Sequence, residues 1–135
     1  MFPEWAPLAL RVILGVLFIV HGYPKLFRNF SETSGFLAGL GFKPGAFWTV
    51  ILGVTEFFGG IFLLLGLVSR VASGLLIISM TVATLIKIFK WKVPFTKGGE
   101  AGWEFDALIL AGLVTLFLLG SGNWSIDQLL VWQLG

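Results

Sequence analysis

Cysteine is absent from the 135 residues, and there is one histidine. No disulfide, thiol nucleophile or iron–sulfur ligand set can be built from this chain. One histidine cannot make a bis-histidine haem, and thiolate zinc sites go with the cysteines, so no metal site is expected. Charge is also scarce. Asp, Glu, Lys and Arg make up 12% of the residues, about half of the ~25% found in soluble domains. So few charges do not cover a water-exposed surface, which argues against an ordinary cytosolic enzyme. Walker-type and dinucleotide-binding glycine patterns are missing as well. What is abundant is apolar: 57% hydrophobic residues and 16% aromatics, with a mean hydropathy of +0.97. That composition excludes a disordered chain.

Four apolar segments stand out, and a transmembrane helix needs about 20 such residues. They predict helices at about 5–28, 46–67, 69–90 and 104–122 of one membrane domain spanning 1–135. The expected fold class is an all-α membrane protein, a four-transmembrane-helix bundle. The first segment is not read as a cleaved signal peptide. No Lys or Arg precedes Arg11, and no small-x-small site follows the apolar run. Phe36, Leu37 and Leu40 share one helical face, predicting a short interfacial helix that Gly41 and Pro44 end. Residues 92–102 read as an irregular loop. Lys25, Arg28, Lys43, Lys87, Lys90, Lys92 and Lys97 fall on one side, and Arg11 and Arg70 on the other. The positive-inside rule puts the seven in the cytoplasm of a prokaryotic plasma membrane and both termini outside. The six tryptophans, Trp5, Trp48, Trp91, Trp103, Trp124 and Trp132, fall at or beyond span ends, as an interfacial belt requires. The basic loops suit anionic lipid headgroups rather than nucleic acid.

A charge within the hydrocarbon costs roughly 2.5–3.5 kcal/mol on insertion scales, so each one needs a reason. Glu56 lies about 15 Å from either edge at 1.5 Å per residue, too deep to snorkel. It is protonated, paired, or beside a wet cavity, and the bland reading is a carboxyl that merely joins two helices. His21 differs from it in depth by roughly 6 Å. Pro24 cannot donate to the carbonyl of Val20 and should kink the helix there. A histidine simply bonded to a neighbouring helix is the favoured reading of His21. Arg11 has two expected solutions, snorkelling outward or reaching Glu56. Lys87, Glu104 and Asp106 are expected at the cytoplasmic rim, where one reading pairs them as a network and the other, favoured for Asp106, is ordinary boundary charge. Gly15, Gly53, Gly59 and Gly60 read as helix-packing positions.

The ordered residues Leu10-Arg11 to Gly15, His21-Gly22-Tyr23-Pro24-Lys25-Leu26, Glu56-Phe-Phe-Gly59-Gly60, Gly66-Leu-Val-Ser-Arg70, Lys97-Gly-Gly-Glu100, Glu104 and Gly122-Asn-Trp-Ser125-Ile-Asp127 resemble the DoxX family over nearly the whole chain. The resemblance implies a small four-helix integral membrane protein of the DoxX/DoxD group. Some members of that group are quinone-reducing subunits or parts of membrane oxidoreductase assemblies. Arg11, His21, Lys25, Glu56, Arg70, Lys87 and Glu104 are the family-like polar positions.

Three functions fit. The first is a quinone-handling or redox-associated accessory subunit. His21 and Lys25 would donate to a quinone carbonyl, Glu56 would relay protons toward Lys87 and Glu104, and a redox partner would bring the electrons. No cofactor is encoded by motif. The second is a proton-coupled small-molecule transporter or binding protein, which with four helices requires a homo-oligomer. The third is a structural subunit whose polar residues only hold the bundle.

Overall fold

The structure, a computed structural model, describes residues 5–90, 92–95, 102–122 and 125–130. Trp91, Trp124, Trp132 and the Lys97–Glu100 stretch lie outside the described residues. Helices follow in the order α1 (Ala6–Phe27), α2 (Phe30–Gly39), α3 (Gly45–Leu65), α4 (Ser69–Leu85), α5 (Trp103–Leu119) and α6 (Ile126–Leu130). There is no strand among the described residues. The last turn of α4 continues as a π-helix over Ile86–Lys90. Ala6–Phe27, Gly45–Leu65 and Ser69–Lys90 are each long and apolar enough to cross a membrane. The fourth long helix, α5, has 17 residues and completes the bundle.

Helix ends follow from local chemistry. α3 stops at Leu65 because Gly66 takes a left-handed φ of 70°. The Leu67 N–H then donates back to Phe62 O at 2.8 Å, the closure of a Schellman motif. α1 runs through Pro24 to Phe27 without ending there. The expected interfacial helix is α2, and Leu37 on its inner face is buried. It leans on α3, where Ser34 Oγ donates to Thr49 Oγ1 at 3.1 Å.

The long helices form a ring in which α1 and α4 each touch both α3 and α5. The α1–α3 seam is the tightest, because glycines let two backbones meet. A Cβ placed on Gly60 would lie 2.7 Å from Gly15 O, and one on Gly22 would lie 2.5 Å from Phe57 N. Leu14, Phe18, Leu63, Leu76, Leu113 and Leu116 fill the centre of the ring. The outer surface is just as apolar: Ile13 is 62% exposed, Leu108 70% and Leu118 71%. Water does not tolerate such a surface, whereas acyl chains do. The polar groups are inside instead, with Arg11, Glu56, Asp106 and Asp127 all buried. Trp5, Trp48 and Trp103 stand at helix starts, where indoles anchor to a membrane surface.

Candidate functional site

The polar interior is divided between two places. The first is at the end of the bundle that holds the α3–α4 turn. Arg11 is fully buried there, and its guanidinium donates to Leu64 O at 3.5 Å. Gly66 makes room for it, since a Cβ at that position would lie 2.6 Å from the Arg11 nitrogen. Asp127, on α6, supplies the opposing charge. Its carboxylate accepts from the N–H of Val68 at 2.7 Å and of Ser69 at 3.0 Å, and from the Ser121 hydroxyl. The carboxylate therefore caps α4 from the far end of the chain, against the positive end of the helix dipole. It also holds Val68, a β-branched residue at φ 43°, in a left-handed conformation that is costly for such a side chain. Ser121 Oγ also lies 2.6 Å from Ser69 Oγ, which closes the network.

This overturns both sequence expectations for Arg11. It neither snorkels nor reaches Glu56. Leu64 O on α3 accepts from it, and α6 brings the opposing charge of Asp127 to the bundle end, which helix-by-helix reasoning could not place.

The second place is a cavity of about 1030 Å³ between α1, α2, α3, α4 and α5. Its walls are mainly apolar, with Leu17, Phe36, Trp48, Ile51 and Ile78 among them. Two ion pairs face it from opposite helix pairs. Lys25 Nζ of α1 sits 2.5 Å from Glu56 Oε2 of α3, and the side chains are 28% and 7% exposed. Lys87 Nζ, on the π turn, sits 3.0 Å from Asp106 Oδ2 of α5, at 36% and 4% exposed. In each pair the carboxylate is buried and the lysine retains access to the cavity. Glu56 is thus the paired case of its three options, and Lys25 is the partner. His21 is exposed on the same cavity and makes no side-chain hydrogen bond among the described residues, contrary to the favoured reading.

Of the six sequence candidates, His21, Lys25, Glu56 and Lys87 converge on the cavity. Arg11 belongs to the other network, and Glu104 sits half-buried in the first turn of α5. The expectation for Asp106 as boundary charge is corrected: it is 3% exposed and is the carboxylate that meets Lys87. The reason is the π turn, which departs from the 3.6-residue register assumed for α4 and places Lys87 against α5. Such turns concentrate at functional sites. Asp127, Ser69, Ser121 and Ser79 were not singled out as site residues. For Asp127 a signal existed in the closing Gly122–Asp127 run, and for the serines there was none.

The DoxX family model matches residues 6–90. The chain is 33% identical over 124 residues to a Bacillus subtilis protein named "Putative oxidoreductase CatD", covering 92% of this chain and 86% of the relative. It is 30% identical over 128 residues to "Uncharacterized membrane protein Rv3486" of Mycobacterium tuberculosis, covering 90% and 78% respectively. No solved structure gives a significant match.

Proposed function

This chain belongs to the DoxX family of integral membrane proteins, and from that premise we propose that its cavity holds a membrane quinone for a redox-active partner. The observation that carries this reading is the pairing of a large apolar cavity with the Lys25–Glu56 ion pair on its wall. Ligand sites typically enclose about 300–1,000 Å³ of mostly apolar space with a few placed polar groups. A quinone needs that slot for its ring and tail, a donor for a carbonyl oxygen, and a source of protons. Lys25 is the donor, with His21 beside it. Glu56 is the group that exchanges a proton with the ring oxygen. Reduction of the quinone takes two electrons and two protons to the quinol. The electrons come from a flavin, metal or thiol carried by the partner, since this sequence has no cysteine. The name of the Bacillus relative supports a redox setting. The exposed Arg28, Lys43, Lys90 and Lys92 at the cavity end support an orientation with that end toward the cytoplasm.

A solute pathway through the protein is the weaker reading. Leu63, Leu76, Leu113 and Leu116 are fully buried, and their packing favours a pocket with a blind end over a channel.

The test is extraction from the native host in mild detergent, followed by native mass spectrometry and chromatography of the released lipids. The wild type is expected to retain a quinone, together with a redox protein. Lys25→Met is expected to lower quinone occupancy by about tenfold or more, the effect of losing a charge-assisted hydrogen bond. Phospholipid as the sole adduct in every preparation overturns the proposal.

A further inference from the structure

Every hydroxyl on α3, α4 and α5 but one is satisfied among the described residues. Thr49, Thr55, Ser73, Thr81, Thr84 and Thr115 donate to the carbonyl four residues back. Ser69 Oγ meets the hydroxyl of Ser121. Ser79 is the exception: its Oγ is buried and has no partner, not even the carbonyl one turn earlier. An unpaired hydroxyl in an apolar interior is costly, and each such group asks for an explanation.

Its position supplies one. Ser79 lines the cavity. α3 and α4 are antiparallel neighbours joined by the turn at 66–68. Glu56 lies ten residues before Gly66, and Ser79 lies ten residues after Ser69. At 1.5 Å per residue both are roughly 15 Å from the turn. The unpaired hydroxyl is therefore level with the Lys25–Glu56 pair, on a different helix of the same cavity. The oxygen itself is buried. A serine moves between staggered rotamers at little cost, and the residue already lines the cavity.

We infer that Ser79 is the second hydrogen-bond donor of the ligand site, so that the ligand head spans from Lys25 to Ser79 with an acceptor at each edge. This deepens the quinone reading and rests on it. It specifies a ring with two separated carbonyl oxygens and selects against a ring with one. A monocarbonyl compound uses the stronger, charged donor, Lys25, and leaves Ser79 idle.

The experiment titrates purified full-length protein in nanodiscs with two probes, following quenching of tryptophan fluorescence. Trp48 on the cavity wall is one reporter. Menadione carries two ring carbonyls on a fused bicycle, and α-tetralone carries one on a similar bicycle. The wild type is expected to bind menadione more tightly. Ser79→Ala is expected to weaken menadione about fivefold, the worth of one ordinary hydrogen bond, and to shift α-tetralone less than about twofold. Thr81→Val is the control, because the Thr81 hydroxyl is already bound to Ile77 O, and it should change neither. A Ser79→Ala variant that binds menadione like the wild type, or loses both probes equally, overturns the assignment of Ser79 and leaves the quinone site standing. A wild type that binds neither probe overturns both.

Discussion

Asp127→Ala is expected to destabilise the protein by about 3–5 kcal/mol, the range seen when one partner of a buried charge network is removed. The carboxylate is 3% exposed, and its loss affects four groups together. Val68 N–H and Ser69 N–H lose their acceptor at the start of α4, Ser121 loses its own, and the charge of Arg11 loses the opposing one. The consequence should be local first. The turn at 66–68 and the first turn of α4 should show raised amide exchange before the rest of the bundle unfolds. Thermal or denaturant unfolding in detergent measures the total. Arg11→Met on the Asp127→Ala background should recover part of the loss, because the stranded charge goes too, while the α4 cap remains missing. Strict additivity of the two substitutions would show that the charges do not act on one another. Stability unchanged by Asp127→Ala would mean that α6 does not hold the bundle end. The same contrast explains why Glu56→Leu should be milder. The lysine it leaves behind is 28% exposed and can be hydrated from the cavity, whereas Arg11 is fully buried.

Gly60→Ala and Gly59→Ala, adjacent in sequence, are expected to differ sharply. Alanine is the better helix former, and the exchange alone favours the helix by about 1 kcal/mol. At Gly59 the new methyl would meet only the side chain of Leu76, at 3.3 Å, which can shift by a few tenths of an ångström. The net change there should fall within about 0.5 kcal/mol of zero. At Gly60 the methyl would lie 2.7 Å from Gly15 O and 2.9 Å from Ile19 N. These are backbone atoms of a regular helix and cannot give way singly, so α1 as a whole must move off α3. Overpacking of this kind costs about 1–3 kcal/mol. Because Lys25 and Glu56 meet across the same pair of helices, Gly60→Ala should also weaken quinone retention. Equal effects at the two positions would remove the close α1–α3 seam as the element that sets the cavity's geometry.

The spans, the polar positions and the interfacial helix were legible in the sequence because each depends on the neighbours along the chain. Twenty apolar residues must cross a bilayer wherever they stand, and a charge among them is costly whichever helix faces it. That reasoning selected Arg11, His21, Lys25, Glu56, Lys87 and Glu104 from the composition of single segments. The partners were not legible. Lys25 rather than Arg11 meets Glu56 because glycines at 15, 22 and 60 fix the approach and rotation of α1 against α3. Asp106 rather than Glu104 meets Lys87 because one π turn alters the register at the end of α4. Asp127 caps a helix that begins 58 residues earlier because the chain folds back over the bundle end. Ser79 reads as one more helical serine until the cavity beside it is seen. Insertion into the membrane depends on each segment's own sequence, so the sequence by itself determined which residues are buried in the bilayer. Pairing depends on how helices rotate and dock against one another, and only the tertiary structure decided it.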